Sequence, residues 1–172
     1  LHSFPTRRSS DLNFLLENKL LFLEGTYSED IEFATGVILT AKRFAFYGKP
    51  YYYYRIGREG SLANRVTLKH VVDLMNMLSI SIRRILKADF LYNDILINKL
   101  SLQYILSFVM IYDVDMEDKN KSKEYIVKNK KMYLSMKHIG ILKRILLKVG
   151  IAPSAYVLNI IRSVRRLVLK MH

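Results

Sequence analysis

Three carboxylates, Glu29, Asp30 and Glu32, stand together in the run Thr26-Tyr27-Ser28-Glu29-Asp30-Ile31-Glu32. Acids at the start of a helix offset the positive end of the helix dipole, and such cap acids are commoner than catalytic ones. The same placement suits a general base, because a carboxylate held within about 3 Å of a hydroxyl can take its proton. Arg58 lies between Gly57 and Gly60. A guanidinium there can pair with two oxygens of a phosphate group or simply remain solvated on its loop. Ser61 suits the cap of the next turn. Asp113, Asp115, Glu117 and Glu124 fall at EF-hand ligand spacing, but Asp118 occupies the place where that loop needs Gly and lysines crowd it. A solvated helix connection is expected instead. His70 and His138 have no partner at ligand spacing, so no metal site is assigned.

The elements that position these residues follow from the apolar pattern. Leu20 to Leu23, ended by Glu24 and Gly25, is expected to be a short buried strand. Thr26 and Glu29 fit a capping box, with Ser28 as a second N-cap candidate, opening a helix whose apolar stripe is Ile31, Ala34, Ile38 and Ala41. Gly36 weakens that helix by about 1 kcal/mol relative to Ala. Phe44 to Tyr47 and Tyr51 to Arg55 are aromatic-rich and predict extended segments on either side of Gly48-Lys49-Pro50. After Asn64 the pattern is helical. Val71, Leu74, Met75, Leu78, Ile82 and Ile85 mark one helix; Ile97, Leu100, Tyr104, Phe108 and Ile111 mark another. Leu100 to Tyr112, the longest uncharged apolar stretch, is too short to span a bilayer. Two basic amphipathic helices close the chain, His138 to Val149 and Ser154 to about Lys170.

The stretch NFLLENKLLFLEGTYSEDIEF, Asn13 to Phe33, followed by YYYYRIGREGSLAN, Tyr51 to Asn64, resembles the C-terminal half of the catalytic domain of bacterial family 2 glycosyltransferases. These are inverting enzymes of the GT-A type that build cell-surface polysaccharides. The resemblance covers about residues 13 to 65 and rests on Glu24-Gly25 before Glu29-Asp30, then Arg58-Glu59-Gly60-Ser61 after a tyrosine-rich segment. It implies Asp30 as the general base, Glu29 as its support or an acceptor contact, and Arg58 with Ser61 at the donor diphosphate or the acceptor. It further implies a nucleotide-sugar donor, a saccharide or lipid-linked acceptor, and a divalent cation, Mg or Mn, in the full-length enzyme. The family's metal-binding DxD should precede the ED pair, and that region is absent here. Asp113-Val114-Asp115 follows the pair and matches by letters only. The fragment itself is therefore expected to be inactive.

The chain has 172 residues, 51% hydrophobic, with a formal net charge of +13 and no cysteine. A core burying about 70% of the unfolded surface is within reach at this size. Disorder is excluded by the composition, and disulfide or cysteine-metal scaffolds by the missing cysteine. Residues 1 to 118 hold 14 basic and 14 acidic residues, whereas 119 to 172 hold 14 basic residues and Glu124 alone. In the last helix Val157, Ile160, Ile161, Val164 and Val168 oppose Arg162, Arg165, Arg166 and Lys170. That pattern fits either a helix lying on an anionic membrane surface or a hairpin packed on its own domain. A non-enzymatic basic module binding membrane or nucleic acid is the alternative. Nucleic acid is disfavoured because no aromatics interleave with the tail arginines.

Leu1 to Leu12, LHSFPTRRSSDL, resembles the translation of a short-read sequencing adapter and is left out of fold reasoning. The expected organisation is thus an adapter-derived 1–12, a catalytic-domain remnant at 13–65 and a helical extension at 66–172. The expected class is α+β, mostly α: short strands and the ED helix of a GT-A domain, then helices. The expected location is the cytoplasm, at the inner face of the cell membrane.

Overall fold

The computed structural model describes residues 12–45, 66–134 and 141–170, with side-chain environments in the last segment from 143 to 163. Among the described residues seven α-helices follow one another: α1 (Leu12–Glu17), α2 (Glu29–Thr40), α3 (Leu68–Lys87), α4 (Asn93–Leu106), α5 (Lys119–Leu134), α6 (Ile141–Val149) and α7 (Ile151–Lys170). A 3-10 helix, Ser107–Tyr112, prolongs α4. Among the described residues there is no strand, so the α+β expectation is corrected to an all-helical arrangement. The physical reason is visible at Leu20 to Leu23. Only Leu20 is buried, Leu21, Phe22 and Leu23 are exposed, and among the described residues no neighbouring segment forms the ladder that a strand requires. Phe44 and Ala45 are irregular, and the rest of the two aromatic segments lies outside the described residues.

Helix α3 packs against α2, α4 and α5. All six of its predicted core positions, Val71, Leu74, Met75, Leu78, Ile82 and Ile85, are buried, as a stripe recurring every three to four residues requires. His70 closes its first turn, accepting the Thr67 N–H at Nδ1 over 3.1 Å. The second predicted stripe is buried at Ile97, Leu100, Tyr104 and Phe108, whereas Ile111, in the 3-10 extension, is only partly buried. With its 3-10 extension, Asn93–Tyr112 is long and apolar enough to cross a membrane. Tyr104, Ile105 and Phe108 are nevertheless sealed inside the protein, as in a core helix.

The centre of the core is aromatic. Tyr104 stacks on Tyr133 of α5 with ring centroids 4.0 Å apart and meets Phe108 edge-on. The Tyr104 hydroxyl donates to the Ile126 carbonyl at 2.6 Å, whereas the Tyr133 hydroxyl is buried without a partner. Burial raises the pKa of both phenols well above the ordinary 10.0, and for Tyr133 the neighbouring Tyr104 adds to the effect. On α6, Lys143 donates to the Asn98 carbonyl and side chain. Its pKa is lowered by desolvation and then by Lys99.

Gly150, at φ +113°, separates α6 from α7 in a conformation suited to glycine. Helix α7 begins at Ile151 rather than Ser154, with Pro153 inside its first turn. There a missing N–H costs no intrahelical bond. The face that α7 buries is Ile151, Ser154 and Ala155, with Leu158 packed at its edge. Farther along, Arg162 forms a two-pronged pair with Asp113 at 2.5 and 3.0 Å. The predicted stripe residues Val157, Ile160 and Ile161 are exposed.

Candidate functional site

The acids of α2 have separate fates because residues two apart on a helix point in different directions. Glu32 faces α3 and is engaged by Arg84. Beside it Gly36 is buried, and a Cβ there would stand 2.6 Å from Arg84 Nη1 and 2.8 Å from Leu20 Cδ2. A side chain at this position would therefore have to displace the Arg84 guanidinium and the Leu20 methyl group, an effect separate from the cost in helix propensity. The buried positions of α2 are Phe33, Thr35 and Gly36; of the predicted stripe, Ile31 packs partly buried against the core, and Ile38 and Ala41 are half-buried. Ala34 is exposed outright. Asp30 lies on the outer side, exposed and without a hydrogen bond or ion pair among the described residues; Glu29 is half-buried.

The turn leading into Asp30 is held from α3. The Tyr27 N–H donates to Asp73 Oδ2 at 2.9 Å, and Lys69 Nζ donates to the same oxygen at 2.5 Å and to the Gly25 carbonyl at 2.8 Å. The Tyr27 ring stacks on His70 at 3.6 Å. Gly25 and Ser28 both adopt the left-handed conformation, φ 69° and 60°. Ser28 stands at the N-cap, but its hydroxyl makes no capping bond. The Thr26 hydroxyl donates back to the Leu23 carbonyl at 2.8 Å, so the predicted Thr26–Glu29 capping box gives way to a clamp from outside the helix. Sequence reasoning missed Lys69, His70 and Asp73 as the groups that place this turn. The Lys69–Asp73 spacing of four and the Thr67–His70 spacing of three were the available signals, both readable only as local helix features.

A cleft of about 540 Å³ opens beside this turn, lined by Leu20, Phe22, Leu23, Glu24, Phe33 and Arg84 among others. Phe22 stacks on Phe33 across 4.1 Å. The cleft lies on the Glu32 side of α2, and neither Glu29 nor Asp30 lines it. Arg58 and Ser61, the other two predicted site residues, lie outside the described residues, as does His138. Asp113 of the DxD-like triplet is taken up by Arg162, and Val114 is buried. Among the described residues no cluster of His, Asp or Glu could hold a metal ion. The chain matches no family model, no curated protein and no solved structure.

Proposed function

We propose that this chain is the C-terminal portion of an inverting glycosyltransferase, in which Asp30 takes the proton from an acceptor hydroxyl. The observation that carries the reading is the division of labour on α2. Glu32 is spent on Arg84, Glu29 is half-buried, and Asp30 stands exposed at the start of a helix. The order Glu24-Gly25, Glu29-Asp30, Arg58-Glu59-Gly60-Ser61 supports the same assignment.

In this mechanism the acceptor oxygen attacks the anomeric carbon of a nucleotide-sugar, and the bond from that carbon to the diphosphate oxygen breaks. The bonding pair leaves with the nucleoside diphosphate, the acceptor proton passes to a carboxylate oxygen of Asp30, and the configuration at carbon inverts. Lys69 and Asp73 fix the turn from which Asp30 projects, limiting the reorientation needed before proton transfer. Arg58 is assigned to the diphosphate and Ser61 to the donor or acceptor, on the resemblance. The described residues do not fit the family's divalent cation, so no step here passes through it. The cation belongs with a donor-binding portion preceding Asn13. Extending the coding sequence upstream tests the assignment. A donor-binding stretch with an acidic metal motif, and sugar transfer by the extended enzyme, are expected; their absence removes the reading.

A further inference from the structure

At the corner formed by α6 and α7, the outward faces carry apolar side chains that no described residue buries. Tyr156, Val157, Ile160 and Ile161 are 61, 48, 46 and 57% exposed. On α6, Ile145 and Val149 are also exposed, flanking an exposed Lys148. Apolar residues at successive helical spacings on an outward face form a contiguous strip rather than scattered exceptions. Beside the strip Lys148 is exposed and Arg162 is paired with Asp113, while residues 119 to 172 hold 14 basic residues and Glu124 as their one acid.

We propose that this corner docks on an anionic lipid surface, with Tyr156, Val157, Ile160 and Ile161 entering the acyl boundary and Lys148 meeting the headgroups. Two requirements select the occupant. The strip needs an apolar phase, which a nucleic-acid backbone does not supply. The exposed Lys148 and the excess of 14 basic residues over one acid from 119 to 172 need a negative surface, which the same region of a second copy does not supply. An anionic bilayer satisfies both at once. The inference stands apart from sugar transfer, and its test requires no activity.

The chain holds no tryptophan, so Tyr156→Trp introduces a single fluorescent reporter at an exposed position. With vesicles of phosphatidylcholine mixed with phosphatidylglycerol its emission should shift to the blue, and with phosphatidylcholine alone it should not. In co-sedimentation with the mixed vesicles the unmodified chain should bind at low salt and release at high salt. The double variant Ile160→Asp, Ile161→Asp should bind at least about tenfold more weakly, with its circular dichroism unchanged because both positions are exposed. An absent blue shift, failure to bind anionic vesicles at low salt, or undiminished binding by the double variant overturns the proposal. It is equally overturned if the chain sediments as a dimer that the double variant dissociates, which would make the strip a contact between copies.

Discussion

Helices α3 and α7 have the same length, 20 residues each, and both carry an apolar stripe in sequence, yet the fold treats them oppositely. The stripe of α3 is covered by α2, α4 and α5. The described part of the α7 stripe, Val157, Ile160 and Ile161, faces outward, while Ile151, Ser154 and Ala155 make the inward contact. Helix α2 resembles α7 in this respect, engaging Glu32 and Gly36 and leaving Asp30 free. A helix whose stripe is covered stabilises the fold; one that keeps an uncovered face has chemistry available for something else. The two proposals rest on the two uncovered faces.

The sharpest way to break this contrast is a pair of truncations. Leu78→Ala in α3 removes a fully buried side chain and should destabilise the protein by about 2–5 kcal/mol. Ile161→Ala in α7 should change stability by less than about 0.5 kcal/mol. Denaturant titration of the two variants checks the contrast, and equal losses would mean that the α7 face is covered in solution.

Alkaline pH probes the covered core next. Tyr104 and Tyr133 have folded-state pKa values above the ordinary 10.0, so they retain protons that the unfolded chain releases. Their stabilising contribution is complete below that value and declines as pH rises through it, by about 1.4 kcal/mol per pH unit for each phenol. Lys143, shifted downward, acts in the opposite sense, since its protonated form is penalised in the fold and stability recovers as it deprotonates. It is one partly exposed lysine against two buried tyrosines, so net stability should fall. Circular dichroism followed with tyrosinate absorbance should show the phenols ionising only as the helices melt.

A smaller difference separates the two hydroxyls themselves. Tyr104→Phe forfeits the bond to the Ile126 carbonyl and should cost about 1 kcal/mol. Tyr133→Phe removes a buried hydroxyl that has no partner, so it should be neutral or slightly stabilising. Thermal melts of the two variants distinguish these outcomes.

The helical parts of this arrangement were legible because their signals are local. Val71 through Ile85 repeat at the helical period, and the break at Gly150 coincides with the left-handed residue found there. What escaped depended on distant partners. Leu20 to Leu23 has the composition of a buried strand, but composition does not reveal whether another strand lies alongside. The inward face of α7 was obscured by a pair 49 residues apart, Arg162 with Asp113. At the candidate site, the positions of the acids were evident, while their division of labour followed from Arg84, 52 residues from Glu32. Gly36 showed as a propensity cost, and its contact with Leu20 and Arg84 could not be foreseen from α2 alone.

The central functional claim is that Asp30 and Glu32, two residues apart, have different duties. Its most direct test compares Asp30→Asn with Glu32→Gln in the proposed upstream-extended glycosyltransferase, measuring sugar transfer, donor binding and melting temperature together. Asp30→Asn should lower transfer by about 10²–10⁴-fold while leaving donor binding and melting temperature near the parent values. Glu32→Gln should lower the melting temperature and largely retain transfer at temperatures where it remains folded. Transfer at the parent rate by Asp30→Asn would contradict the account.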